Sequence, residues 1–207
     1  QSHRQEDIKD RNLYKNLADG KRRRKRGLRR DSRGIIPNRT SIEKRPKIVA
    51  KRKRLGDFEV DLMMGKNHQG ALLVMTDRAT LLTRLHLLSN KDSRQVSNGL
   101  KKRLAPIRRI IKTLTFDNDQ AFSRHLDIGK KLNAKTYFTR PYTSQDKGTV
   151  ENRIGVIRRF FPKKTDLTKI ASSRVKEVEK MINNRPVRKF NYKTPNQVFS
   201  EKIALIS

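Results

Sequence analysis

Three acidic residues, Asp61, Asp117 and Glu151, stand at positions from which carboxylates could act together. Asp61 falls within a predicted strand, Asp117 directly follows another strand, and Glu151 lies on a predicted helix. Carboxylate oxygens are the ligands that hard divalent cations such as Mg²⁺ and Mn²⁺ prefer. Two such ions about 4 Å apart can activate the attacking oxygen and stabilise the leaving oxygen of a phosphodiester. The chain has 20 Asp and Glu residues in all, so spacing alone does not distinguish these three.

The composition indicates a polyanionic partner. The 207 residues include 52 Lys and Arg, which gives a formal net charge of +32. Cys is absent, which excludes disulfide scaffolds and Cys-bearing zinc fingers, and no apolar run approaches the length of a membrane span, about 18 residues. Three classes of function remain open: an enzyme acting on DNA, a non-catalytic DNA-binding protein, and a structural nucleic-acid protein such as a ribosomal component.

The positive charge is concentrated at the front of the chain. Residues 1–54 hold 21 Lys and Arg against 6 Asp and Glu, a net charge of +15. We interpret residues 1–53 as a basic arm or linker that contains Pro and Gly. Its densest run is predicted to bind DNA phosphates without sequence preference, the alternative being a solvated tail; the run consists of Lys21, Arg22, Arg23, Arg24, Lys25 and Arg26.

The remaining residues, 54–207, alternate between patterns typical of strands and helices. Strands are predicted at Leu55–Met64, Ala71–Thr76, Leu81–Leu88, Ile110–Phe116 and Lys135–Thr139. Helices are predicted around Val96–Leu104, Phe122–Leu132, Gly148–Phe161 and Val175–Ile182, and from Thr194 onward. The first three strands suggest an antiparallel meander. The order βββαβαβα followed by C-terminal helices predicts an α/β layered domain with a mixed sheet.

Three motifs in this domain resemble one enzyme family. They are Gly56–Asp61 (GDFEVD), Thr115–Asn118 (TFDN) and, after Pro141-Tyr142, Lys147–Asn152 (KGTVEN). In this order they resemble the insertion-sequence transposases of the IS-thirty family, which belong with retroviral integrases to the DDE group. Supporting similarities are Arg33–Arg39 (RGIIPNR), Phe161–Asp166 (FPKKTD) and Asn184–Pro186 (NRP).

The resemblance implies a fold and an activity. The fold would be a ribonuclease-H-like integrase catalytic core, in which a mixed five-stranded sheet is flanked by helices. Asp61, Asp117 and Glu151 would form the catalytic DDE triad and hold two Mg²⁺ or Mn²⁺ ions. The activity would be cleavage of double-stranded DNA at transposon ends and transfer of the freed 3′ ends to a target. A homo-oligomer on DNA in the bacterial cytoplasm, at the nucleoid, would follow from the same resemblance.

The chain also departs from the family pattern. Phe58 and Val60 stand where the family usually has Trp and Gly, and Asn118–Phe122 (NDQAF) replaces an Asn-Gly-x-Glu-Phe motif. Family members carry an N-terminal helix-turn-helix region, and we expect this chain to start after it. The alternative function is therefore a catalytically impaired transposase remnant that binds DNA non-specifically.

Charged residues around the triad are assigned from their periodicity. Alternation along the first strand puts Asp57 and Glu59 on the same face as Asp61, where we interpret them as structural or near-site residues rather than as ligands. Asp77 is interpreted as a turn residue. On the Glu151 helix, Lys147 and Arg158 fall near the same face as Glu151 and form either a phosphate-binding surface or a solvated face. Arg153, on the same helix, is also a predicted DNA-binding residue.

Overall fold

A computed structural model describes residues 36–140 and 144–206. Five strands form one mixed sheet in the order β3-β2-β1-β4-β5. The strands β1, β4 and β5 run parallel, whereas β2 pairs antiparallel with both β1 and β3. Their bounds are β1 Asp57–Met64, β2 Ala71–Asp77, β3 Thr83–Leu88, β4 Thr113–Phe116 and β5 Lys135–Phe138. The predicted antiparallel meander and the mixed five-stranded sheet are confirmed.

Helices cover both faces of this sheet. One core contains Leu100 and Ile128 from helices on one face, and the other contains Val150 and Val178 from helices on the opposite face. Side chains of β2 enter both cores alternately, which explains its uninterrupted apolar run. The helices are α1 Lys47–Ala50, α2 Ser93–Leu104, α3 His125–Leu132, α4 Gly148–Ile157, α5 Ser172–Asn183 and α6 Pro195–Ala204. Among the described residues, none of the helices is long and apolar enough to cross a membrane.

The segment before β1 packs against the sheet. Ile36 and Val49 are buried, and the Phe138 amide on β5 donates to the Thr40 carbonyl over 2.8 Å. The Arg45 guanidinium donates to Thr115 Oγ1 on β4 over 3.0 Å. The division of the chain at residue 54 remains a prediction, because residues 1–35 lie outside the described part.

Helix α5 covers the edge strand β3 through two buried polar side chains. Asn183 accepts from the Thr83 amide over 2.9 Å and donates to the Thr83 carbonyl over 2.7 Å, as a neighbouring strand would. Glu179 accepts from the Leu85 amide and pairs with Arg84 and Arg103. These contacts satisfy backbone groups that an edge strand otherwise leaves without partners.

Replacing Asn183 with Ala should lower the free energy of unfolding by about 2–4 kcal/mol, because both Thr83 backbone groups then lack a buried partner. Urea denaturation followed by circular dichroism measures the change. Asn184→Ala is the matched control, since its side chain contacts Asn196 at an exposed position and should change stability by less than about 0.5 kcal/mol. Equal stability of the two variants would contradict this role of Asn183.

Candidate active site

The sheet brings Asp61 and Asp117 side by side. The parallel ladder between β1 and β4 pairs Asp57 with Thr113 and ends at Glu59 and Thr115. Continued by two residues at the same offset, the register places Asp61 opposite Asp117, which directly follows β4. Asp61 also lies on the β1 face that packs against α4, because Met63, on the same alternation, joins the core beneath that helix.

A buried lysine contacts both carboxylates. Lys147 Nζ lies 3.2 Å from Asp61 Oδ1 and 3.7 Å from Asp117 Oδ2, and it donates to the Val60 carbonyl over 3.3 Å. Its exposed fraction is 5%. The sequence predicts that Lys147 binds DNA phosphate, whereas in this structure its ammonium is engaged by Asp61 and Asp117.

The environment of Asp117 is unusual for a carboxylate. Its Oδ1 is buried and has no hydrogen-bond partner among the described residues, although the side chain as a whole is 40% exposed. Burial raises the pKa of Asp117, and the negative charges of Asp61 and Asp119 raise it further, while Lys147 opposes them. A buried acceptor without a donor, next to a second carboxylate, fits a cation-binding position.

Glu151 lies next to this pair, one helical turn after Lys147. The side chain is exposed, but partial desolvation raises its pKa, and the charge of Asp61 contributes in the same direction. Among the residues that the structure describes, no three Asp, Glu or His side chains stand close enough to ligate one ion together. The structure thus links Asp61 to Asp117 through Lys147 and places Glu151 within electrostatic range of Asp61, without assembling the three carboxylates into one ligand set.

Glu59 fixes the helix that carries Glu151. Its Oε2 accepts from the Val150 amide in the first turn of α4 over 2.8 Å, and its Oε1 lies 3.2 Å from Arg78 Nε. Both Glu59 and Arg78 are buried. A carboxylate at a helix N-terminus satisfies a free amide and interacts favourably with the helix dipole. Glu59 is therefore a positioning residue, in agreement with its structural assignment from the sequence.

Asp57 and Asp77 have structural roles as well. Asp57 forms a two-pronged pair with Arg54 and accepts from Thr113 Oγ1 on β4. Asp77 accepts from the amides of Gly56, Ala79 and Thr80 and so closes the turn after β2. Burial raises the pKa of Asp77, and these donors counteract that effect.

The predicted DNA-binding residues have different surroundings. The run Lys21–Arg26 lies outside the described residues. Arg158 is partly exposed and donates to the carbonyls of Met64 and Pro162. Arg153 is 6% exposed and donates twice to the Leu81 carbonyl, and burial lowers its pKa to about 10. The prediction for Arg153 does not fit this placement, because the guanidinium is used inside the protein.

Three residues near the site carry roles that sequence patterns did not indicate. Arg78 pairs with Glu59, and Lys91 lies 3.0 Å from the Asp119 carboxylate. Asn118 donates to the Thr139 carbonyl after β5 and accepts from Arg39. The position of Asn118 directly after Asp117 in the sequence could have indicated a role at the site. The partners of Arg78 and Lys91 could not be predicted, because they depend on how distant segments pack.

The chain is similar to curated transposases. It is 40% identical over 192 residues to the transposase for insertion sequence element IS4351 of Bacteroides fragilis, covering 92% of this chain and 59% of that protein. It is 35% identical over 185 residues to transposase InsI for element IS30A of Escherichia coli K12, covering 87% and 48%. These relatives are transposases of the IS-thirty family, and the resemblance found in the sequence motifs is confirmed over most of the chain. The chain spans about half the length of the curated relatives it matches, and no protein-family model matches it.

Solved structures show which fold this chain has. The catalytic core domain of BIV integrase matches 72% of this chain and 97% of its own, with a TM-score of 0.54 at 16% identity. A chain in the cryoEM structure of the simian T-cell lymphotropic virus intasome with the PP2A regulatory subunit B56 gamma matches 81% of this chain and 56% of its own, with a TM-score of 0.58. The predicted ribonuclease-H-like integrase-core fold is confirmed.

Proposed function

We propose that this chain is the catalytic part of a DDE transposase that cuts double-stranded DNA at the ends of an insertion sequence and joins them to a target. The observation that carries the proposal is that the buried Lys147 ammonium contacts both Asp61, which lies within β1, and Asp117, which directly follows the parallel strand β4. In this arrangement two carboxylates already share a positively charged partner. The all-oxygen donor set and the orphaned Asp117 Oδ1 suit a hard divalent ion.

Each residue of the site has a separate proposed role. Asp61 and Asp117 would hold two Mg²⁺ or Mn²⁺ ions, and Glu151 would complete the set by a side-chain movement at the start of α4. The ions would supply activation of the attacking oxygen and stabilisation of the leaving oxygen. Glu59 keeps α4, and with it Glu151, against β1. Arg158 and the arm would hold the DNA backbone, and a homo-oligomer on DNA at the nucleoid remains part of this proposal.

The impaired-remnant alternative rests on the departures after Asp117. Asp119 is balanced by Lys91, and its carboxylate accepts from the Ala121 amide at the start of the turn Gln120–Phe122. The Asp119 carboxylate thus stabilises this turn, and Lys91 neutralises its charge. Ala121 is buried in the core, where a Glu would need a partner. The two departures support a locally repacked site and do not favour the remnant.

The test of this function is cleavage of supercoiled plasmid. With Mn²⁺, the protein should convert supercoiled DNA to nicked and linear forms, and EDTA should abolish the conversion. Asp117→Asn removes one ligand charge with little change in shape and should remove the activity. Nicking that survives EDTA, or that Asp117→Asn retains in full, would contradict the proposal.

The basic arm yields a separate prediction. Replacing all six residues Lys21–Arg26 with Gln should weaken duplex binding and reduce the salt slope of log K by as much as about 5, because each phosphate contact contributes about 0.9. Fluorescence anisotropy between 50 and 200 mM salt measures that slope. A control that exchanges Lys for Arg throughout the run keeps the charge and should keep the slope. Identical slopes for all three proteins would show that the run does not contact phosphate.

A further inference from the structure

The Lys147 ammonium has the surroundings of a bound metal ion. Oxygens of Asp61, Asp117 and Val60 lie within 3.2–3.7 Å of its Nζ, and the side chain is nearly inaccessible to solvent. These are two carboxylates and a carbonyl, the oxygen types that hard divalent ions select. The lysine thus stands where the proposed function needs a cation.

An ammonium and a divalent cation cannot share this position. Both would need the same Asp61 and Asp117 oxygens, and two cations at contact distance repel strongly away from bulk water. Without any cation, the two carboxylates would repel each other instead, because the register of β1 and β4 holds them side by side. One positive charge at a time therefore satisfies the pair.

We propose that Lys147 is an internal counter-ion, which holds Asp61 and Asp117 together in the metal-free protein and must leave before a divalent ion binds. This inference rests on the proposed function, since it concerns the metal of that same site. Lys147 then acts as a positioning residue that sets the metal affinity. Lys147 also prevents the metal site from assembling until a divalent ion displaces its ammonium.

The local structure allows the side chain to leave without moving the helix. Lys147 directly precedes α4, whose first turn is fixed separately by the bond from the Val150 amide to Glu59. The flexible four-carbon stem of lysine can turn outward while the backbone stays in place. Release would free the ammonium to contact a DNA phosphate next to the site.

Calorimetric titration with Mn²⁺ in the absence of DNA tests the inference. Lys147→Gln removes the competing charge and should lower the Kd for Mn²⁺ at least about tenfold relative to the parent protein. Lys112→Gln is the matched control, because Lys112 is exposed and lies before the start of β4, at the end opposite Asp117. It removes the same charge from the chain and should leave the Kd unchanged within about twofold.

The outcomes separate this inference from the proposed function. If Lys147→Gln binds Mn²⁺ no more tightly than the parent, Lys147 is not a competitor, even when the parent protein cleaves plasmid normally. If the parent binds Mn²⁺ but saturating Mn²⁺ produces no cleavage, the proposed function fails while a tighter-binding variant still supports the competition. Absence of Mn²⁺ binding by both proteins would overturn the inference as well.

A second measurement uses the unaltered protein and does not depend on the folding of a variant. Acetylation by a soluble reagent, followed by mass spectrometry, reports the accessibility of each lysine. The acetylation rate of Lys147 relative to Lys112 should rise several-fold when Mn²⁺ saturates the site. A ratio that Mn²⁺ does not change would show that Lys147 stays in place, and would overturn the inference.

Discussion

Changing Glu151 to Gln should reduce Mn²⁺-dependent plasmid cleavage about a thousandfold, which corresponds to about 4 kcal/mol of lost transition-state stabilisation. The substitution keeps the shape of the side chain and removes the charge that would complete the ligand set. The stability of the metal-free protein should hold or rise slightly, because Glu151 is exposed and its charge is repelled by Asp61. Stabilisation of the fold by Mn²⁺ should shrink.

Paired assays check this prediction: initial nicking rates and thermal unfolding with and without Mn²⁺. Glu177→Gln serves as the control, because Glu177 is an exposed residue of α5 that pairs with Arg174. That variant should nick plasmid at the parent rate. A Glu151→Gln protein that also nicks at the parent rate would remove Glu151 from the active site.

Changing Glu59 to Gln should lower the free energy of unfolding by about 3–5 kcal/mol, because it deprives the buried Arg78 guanidinium of the carboxylate with which it is paired. Urea denaturation measures the loss. The double variant Glu59→Gln/Arg78→Met should recover part of it, since neither charge then remains unpaired. Recovery would identify the uncompensated charge, rather than lost packing, as the cause.

An exposed pair provides the comparison for Glu59. Glu201 pairs with Lys193 at a distance of 2.7 Å, with about half of each side chain exposed. Glu201→Gln should change stability by less than about 1 kcal/mol, because solvent screens such pairs. If Glu59→Gln were as mild as Glu201→Gln, the link between β1 and α4 would not depend on this carboxylate.

Periodicity in the sequence was sufficient to predict the sheet and the helices that cover it. The apolar run in β2 and the spacing of Val96, Leu100 and Leu104 each correspond to an observed element. Three strands were predicted to begin too early: β1 begins at Asp57 rather than Leu55, and β3 at Thr83 rather than Leu81. The third, β4, begins at Thr113, because Ile110 belongs to the 3-10 helix Ala105–Ile110. Ile110 packs with Leu55 at the edge of a separate small core. Its apolar side chain serves that core and does not mark the beginning of a strand.

The candidate site was only partly predictable. Alternation along β1 gave the shared face of Glu59 and Asp61, and the family motifs singled out Asp61, Asp117 and Glu151. The inward position of Lys147 and the buried position of Arg153 depend on how α4 docks on β1 and β2. Helical spacing groups these cationic residues on a helix, but it cannot tell whether that surface meets solvent, DNA or the sheet.

Anomalous X-ray scattering from a crystal of the protein soaked in Mn²⁺ would locate the metal relative to Asp61, Asp117 and Lys147. We expect a manganese peak between Asp61 and Asp117, with carboxylate oxygens at about 2.1 Å. Lys147 should have turned away from that position, and Glu151 should have turned towards it. A manganese ion bound elsewhere, with Lys147 still between the two carboxylates, would contradict the assignment of Asp61 and Asp117 as metal ligands.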